Sequence, residues 1–158
     1  MKHASIIIRF MCCITLLTSC DPNRVYEENK AIEGDAWKVS EPLNFEAEIT
    51  DTTQAYNVYL NVRNASHYGY RNLYMLVATT FPNEQVIQDT VQVLLANEAG
   101  EWLGSGMGDI WDSQVMWKHA VRFPMAGKYR FRLEQAMRVD PLPFIMEVGI
   151  RIEKFERP

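Results

Sequence analysis

The stretch Tyr56-Asn57-Val58-Tyr59-Leu60-Asn61-Val62-Arg63 decides the fold. Tyr56, Val58, Leu60 and Val62 alternate with Asn57, Tyr59, Asn61 and Arg63. Successive side chains of a strand point to opposite faces, so a period of two predicts a strand with one face in a core and the other in water. A helix would space its apolar residues about 3.6 apart, and no long segment of the chain does so convincingly.

The same alternation extends in both directions. Upstream, Leu43, Phe45, Ala47 and Ile49 alternate with Asn44, Glu46 and Glu48, and Asp51 to Gln54 supplies turn chemistry before the next strand. Downstream, Asn64 to Asn72 reads as a loop. Leu73 to Phe81 is apolar at nearly every position, the pattern of a strand covered on both sides, until Pro82-Asn83 ends it. Val86 to Leu95 resumes strand character, although Val93-Leu94-Leu95-Ala96 could equally open a helical turn. Gly100 to Gly104 reads as a short strand. Val115, Trp117, Val121 and Phe123 share a face with His119, while Lys118 and Arg122 lie opposite. Pro124 to Gly127 turns the chain into Tyr129, Phe131 and Leu133, which alternate with Lys128, Arg130, Arg132 and Glu134. Asp140-Pro141-Leu142-Pro143 is a rigid loop, because each proline fixes φ and lacks an N–H. The last strand places Met146, Val148, Ile150 and Ile152 inside and Glu147, Arg151 and Glu153 outside. Gly149 falls on the outer face, where a neighbouring side chain could pass closely. About eight short strands with turns between them predict an all-β fold, a single antiparallel, jelly-roll-like β-sandwich over residues 37–158.

The start of the chain carries a different signal. Lys2, His3 and Arg9 make a basic beginning, Phe10 to Leu17 is an apolar run, and Leu17-Thr18-Ser19-Cys20 resembles the lipobox of bacterial lipoproteins. The run is far short of the roughly 20 apolar residues that a membrane-spanning helix needs. Residues 1–19 therefore read as a lipoprotein signal peptide and Cys20 as the lipid acceptor. Residues 20–36 follow as a lipidated N-terminus and polar tether, or as an extended first segment.

Composition narrows the function classes. Without Lys2 and Arg9 the 16 basic side chains fall to 14 against 20 acidic ones, a net charge of −6 over the 139 residues from Cys20. That balance argues against nucleic acid, which favours a basic domain. Cys12 and Cys13 fall within the signal peptide and Cys20 is the acceptor, so no thiol is left for a disulfide, a metal site or a nucleophile. Neither a cofactor nor a metal is expected.

Several features invite chemistry, and each has a plainer reading. Gly104-x-Gly106-x-Gly108 lacks the strand-then-helix setting of a phosphate loop and reads as a turn or sheet corner. Asp109 and Asp112 beside Trp111 fall short of the six to eight oxygens of a calcium site. His67 and His119 have no partner at metal spacing. Gly104-Ser105-Gly106 does not make a nucleophile elbow, and no catalytic residue is expected. Trp111, the best exposed candidate among Trp37, Trp102, Trp111 and Trp117, could stack on a sugar. Lys118, Arg122, Lys128, Arg130 and Arg132 would share the outer face of a hairpin turning at 124–127, a surface able to dock another protein.

Longer strings carry a family resemblance. They are Tyr56 to Asn64, Gly100-Glu101-Trp102-Leu103-Gly104 leading to Gly108-Asp109-Ile110, Arg122-Phe123-Pro124 with Gly127-Lys128-Tyr129, Gln135-Ala136-Met137-Arg138, and Val148 to Lys154. In that order they resemble the gliding-motility lipoprotein H family (GldH) of the Bacteroidota. The resemblance implies an acylated Cys20 and a non-enzymatic envelope protein that supports gliding and the secretion system alongside it. Its expected place is the outer membrane, facing the periplasm, with other gliding or secretion proteins as partners. The alternative is a glycan-binding surface or periplasmic lipoprotein.

Overall fold

The computed structural model describes residues 21–156, so the stretch read as a signal peptide and the expected lipid acceptor Cys20 lie outside the described residues. Eleven strands occur among them: β1 Arg24–Ala31, β2 Ala36–Trp37, β3 Leu43–Ile49, β4 Tyr56–Ala65, β5 Asn72–Thr80, β6 Val86–Leu94, β7 Ser105–Met107, β8 Ile110–Val121, β9 Gly127–Gln135, β10 Leu142–Pro143 and β11 Ile145–Lys154. A five-stranded sheet runs β1-β11-β4-β8-β7, a four-stranded sheet runs β3-β9-β5-β6, and β10 pairs with β2. Every pairing is antiparallel. The all-β sandwich expected from the alternation is the observed architecture.

Its core is where the period of two places it. Phe45, Ala47 and Ile49 of β3, Val58, Leu60 and Val62 of β4, Tyr129, Phe131 and Leu133 of β9, and Val148, Ile150 and Ile152 of β11 are all buried. Full burial of a side chain of this kind contributes roughly 1.5–3 kcal/mol. At the end where β4 and β9 finish, Trp37 and Leu142 face each other across the β2–β10 pair and close the core. At the opposite end Phe123 packs edge-on against Tyr56 and Tyr129, with ring centroids 5.4 and 4.7 Å apart.

Three expectations are corrected and one alternative is resolved. The strands number eleven rather than about eight, and β2, β7 and β10 are only two or three residues long. Gly100 to Gly104 is not a strand; only Trp102 bridges, to Ala96. Arg24–Ala31, within the stretch read as a tether or as an extended first segment, takes the second form, an edge strand paired with β11 from Arg24 to Ala31. Its sequence shows little apolar alternation because an edge strand can cover apolar surface with polar side chains, as Lys30 does with its ammonium 5.1 Å from the centre of the Phe45 ring. β5 is also covered on one face only. Leu73, Met75 and Val77 are buried, whereas Tyr74 is exposed, since among the described residues no further layer lies outside the four-stranded sheet.

The phase of β8 also departs from simple alternation. Its register against β4 shifts between Tyr56 and Val58 and again between Val58 and Tyr59. Each bulge inserts a residue and turns the following side chains over. Lys118 therefore comes opposite Val58 and reaches Asp89 of β6 in the other sheet, 2.7 Å away. His119 turns to the Phe155 ring, and Ala120 adopts φ 49° with its N–H donated to Asn57 Oδ1.

Candidate functional site

The five basic residues do not form one hairpin face. β8 belongs to the five-stranded sheet and β9 to the four-stranded one. The connection between them crosses from sheet to sheet because buried Phe123 plugs the end of the core and draws the chain across. Lys128, Arg130 and Arg132 remain together on the outer face of β9. Lys128 lies 2.7 Å from Glu46, Arg130 pairs with Glu84, and Arg132 lies 3.0 Å from Glu134. Lys118 and Arg122 instead border an apolar cleft of about 300 Å³ between the sheets, with Trp117, Phe81, Phe131 and Ile87 among its walls. Lys118 Nζ sits 5.0 Å from the centre of the Trp117 ring.

Trp111 is half-buried rather than free. Its ring stacks beside Trp102 with centroids 6.4 Å apart and lies over Gly106, its partner across β7–β8, where a Cβ would collide with the indole. The glycine-rich stretch is therefore a sheet corner fitted to an aromatic pair. Asp112 is committed to Arg63, and Asp109 accepts a hydrogen bond from Ser66 Oγ at 3.1 Å. Among the described residues no group of three or more His, Cys, Asp or Glu side chains is placed to hold a metal ion.

The most developed polar feature lies on the outer face of the five-stranded sheet, around a depression of about 350 Å³. Three rows of cross-strand partners build it. In one, Arg63 of β4 lies between Glu147 of β11 and Asp112 of β8. It donates to Glu147 at 2.7 Å and to the two Asp112 oxygens at 2.7 and 3.2 Å. In the next, Asn29, Gly149, Asn61 and Gln114 stand side by side. Asn29 and Asn61 are separated by a whole strand, about twice the 4.7–4.9 Å strand spacing, yet Asn61 Nδ2 donates to Asn29 Oδ1 at 3.0 Å. The bond is possible because Gly149 between them has no side chain; a Cβ there would strike the Asn29 side chain and the Glu28 carbonyl. In the third row Arg151, with a side chain only 14% exposed, gathers Glu27 at 2.8 Å, Glu153 at 3.2 Å and Asp21. Tyr59 donates to the same Glu153 at 2.6 Å.

The ionisation of these groups follows from the geometry. Burial pushes the Glu27 carboxyl upward, but hydrogen bonds from Arg24 and Asn61 and the Arg151 guanidinium outweigh it and hold it below the usual range. The Asn23 backbone N–H does most to lower Asp21, with Arg151 adding to it against some burial. Burial works against the Arg151 cation, yet Asp21, Glu153 and Glu27 together keep its pKa raised. The face is an ionised lattice that satisfies itself. The outward polarity of Asn61, Arg63, Glu147 and Arg151 is visible in the alternation. Their joining with Glu27 and Asn29 is not, because it links residues as much as 124 positions apart.

Comparisons with known proteins are consistent along the whole body. A family model described as GldH lipoprotein matches residues 24–152, beginning at the first residue of β1. The chain is 37% identical to a Christiangramia forsetii protein named gliding motility lipoprotein GldH homolog, covering 98% of each. It is 36% identical to the gliding motility lipoprotein GldH of Flavobacterium johnsoniae, covering 88% of this chain and 90% of that one. Among solved structures, a family GH115 4-O-methyl-α-glucuronidase with specificity for decorated arabinogalactans aligns over 87% of this chain and 18% of the enzyme. The identity is 11% and the TM-score 0.41, a likeness too slight to bear on fold or activity.

Proposed function

Because this chain belongs to the GldH lipoprotein family, we propose that it is acylated on Cys20, held by those lipids at the periplasmic face of the outer membrane, and active as a non-enzymatic component of gliding motility and the protein secretion tied to it. The observation that carries this reading is the position of Leu17-Thr18-Ser19-Cys20 just ahead of a strand already built into the fold. β1 begins at Arg24, and a fully extended chain advances about 3.3–3.6 Å per residue. The acyl chains would therefore hold the sandwich within a short reach of the bilayer. Each buried methylene adds about 0.8 kcal/mol, so more than one chain gives stable anchoring.

Two further features support a binding rather than a catalytic role. A general acid needs a carboxyl raised toward neutral pH, whereas Glu27 and Asp21 are shifted the other way and serve as counter-ions to Arg151. Lys128, Arg130 and Arg132 present three cations on one strand face. Each is held by an exposed ion pair worth only about 0–1 kcal/mol, which an acidic partner surface could exchange at little cost. The glycan alternative rested on Trp111, whose ring is taken up by Trp102 and Gly106.

The test is a chromosomal deletion in the host, complemented in parallel with the wild type, Cys20→Ser, and an Arg130→Glu/Arg132→Glu variant. Loss of colony spreading and of surface adhesin display, restored only by the wild type, is the expected result. Normal spreading and export in the deletion strain, or a mature N-terminus without acyl groups, would overturn the proposal. Polysaccharide binding abolished by Trp111→Ala would put the glycan-binding role in its place.

A further inference from the structure

The four-stranded sheet ends in β6, and the backbone of that strand is half committed. Phe81 N–H donates to Gln85 O and Leu95 N–H to Arg71 O. Those bonds bracket the β5–β6 ladder, whose register runs unbroken from Thr80↔Val86 to Asn72↔Leu94. In an antiparallel pair, directly opposed residues alternate between hydrogen-bonded and non-hydrogen-bonded positions. The odd-numbered residues of β6 therefore bond to β5. The N–H and C=O groups of Val86, Gln88, Thr90, Gln92 and Leu94 point away from it, and none of them takes part in another backbone hydrogen bond among the described residues.

Natural edge strands are usually guarded by lysine, proline, a bulge, an unpaired inward-pointing charge or a covering segment. Val86-Ile87-Gln88-Asp89-Thr90-Val91-Gln92-Val93-Leu94 has no lysine, no proline and no register shift. Its one charge, Asp89, is spent on Lys118. Val86 and Leu94, at its two ends, are 60% and 47% exposed. The strand also reads nearly the same in both directions about Thr90, with Val86 answering Leu94, Ile87 answering Val93, and Gln88 answering Gln92.

We propose that β6 pairs antiparallel with β6 of a second copy of this chain, about a two-fold axis through Thr90. A two-fold interface must be self-complementary, with residue i meeting j and j meeting i, and the pseudo-palindrome supplies that property. Centred on Thr90, the pairing sets apolar Val86 on Leu94 and amide Gln88 on Gln92 and engages all five outward-facing residues. Sliding by two residues either way puts Val86 on Gln92 or Gln88 on Leu94 and drops a pair. Sliding by one sets outward groups against inward ones and breaks the ladder. The two four-stranded sheets become one continuous sheet. Its axis stands perpendicular to the sheet, so both copies of β1 begin at the same height along that axis and both chains can attach to one membrane. The inference goes beyond the proposed function and does not depend on it.

Thr90→Cys in the full chain tests it directly. A hydrogen-bonded antiparallel pair has Cα atoms about 5.5 Å apart, within the roughly 4.4–6.8 Å that a disulfide spans. Cells producing Thr90→Cys, treated with a mild thiol oxidant, are expected to convert most of the protein to a species of twice the mass. Lys128→Cys on the same sheet and the wild type give no covalent dimer under the same treatment, and Gln88→Cys cross-links only when Gln92→Cys is also present. Thr90→Lys sets like charges against each other at the axis and should render the detergent-solubilised protein monomeric by sedimentation while its circular dichroism spectrum stays that of the folded wild type and its melting temperature no longer rises with protein concentration. A wild type that sediments as a monomer, a Thr90→Lys variant that stays dimeric, or a Thr90→Cys adduct with a different protein would each overturn the proposal.

Discussion

The two long edges of the sandwich are finished differently. On one, β1 and β3 face each other from opposite sheets, and side chains of β1 take up the outward backbone groups of β3. Tyr26 Oη accepts the Glu46 N–H at 3.3 Å, and Lys30 Nζ donates to the Asn44 carbonyl. Burial, with Glu28 adding to it, pushes the Tyr26 phenol far above its ordinary range, so it stays protonated. On the other edge the Lys118–Asp89 pair joins β6 and β8, with apolar space beside it. Charge and covering side chains close the first edge to any further strand. The second keeps its hydrogen-bonding capacity, and both sheets can still pack because the core does not depend on how an edge is dressed.

The closed edge should break hardest at Gly149. A Cβ there meets the Glu28 backbone carbonyl as well as Asn29. A flexible side chain could yield, but a carbonyl moves only if β1 lifts off β11. Gly149→Val should therefore cost about 3 kcal/mol, the upper part of the usual range for overpacking, and open residues 24–31 to proteolysis. Urea denaturation with limited digestion checks both. A variant as stable and as resistant as the wild type would mean that β1 is not held across this row.

Arg151 is the next point of attack. Arg151→Met leaves Asp21, Glu27 and Glu153 without their shared cation, and hydrogen bonds to charged groups are worth about 1.5–3 kcal/mol. A loss of about 2 kcal/mol at neutral pH is expected. The effect of pH follows from the carboxylates. Glu27 and Asp21 sit below their unfolded values in the folded protein. Their contribution is thus complete above the ordinary carboxylate range, about 4, and is lost as pH falls through their depressed values. Urea midpoints at pH 7 and pH 3 should show the wild type losing more stability on acidification than Arg151→Met, so that the two converge. A constant gap between them would show that Arg151 acts through packing instead.

The same contrast governs how much of the fold is legible in the sequence. β3, β4 and β9 were legible because every second residue is apolar and no residue interrupts the count. The outward space at Gly149 was legible for the same reason, since it falls in step with Glu147 and Arg151. In β8 the core positions Trp117 and Val121 keep their expected side, but Lys118 and His119 do not, because the two bulges are set by pairing with Tyr56 and Val58, which leaves no mark in β8 itself. The basic face was overdrawn for a related reason. A turn containing Pro124 and Gly127 looks alike whether it joins two strands of one sheet or carries the chain between sheets, and the deciding residue was Phe123, in phase with the core and large enough to plug its end. β1 was ambiguous because Arg-Val-Tyr-Glu-Glu-Asn-Lys-Ala reads as solvated chain until Arg151 and Asn61 are known to stand beside it.

The open edge should respond least. Lys118 and Asp89 are each more than a third exposed, and such pairs couple by about 0.2–1 kcal/mol. A double-mutant cycle of Lys118→Met and Asp89→Asn should give an interaction energy near 0.5 kcal/mol that shrinks further in high salt. Neither single change should shift the urea midpoint as far as Arg151→Met does. Lys118→Met also removes the ammonium that sits 5.0 Å from the Trp117 ring centre, but that loss is common to both arms of the cycle and cancels in the interaction energy. A coupling well above 1 kcal/mol would mean that the ion pair clamps the sheets together here as Arg151 does across the way, and the two edges would then differ in chemistry but not in strength. A small value assigns the cohesion of this side to the aromatic contacts beneath, Trp117 against Phe131 with centroids 6.4 Å apart. The rim is then left free to exchange partners without loosening the fold.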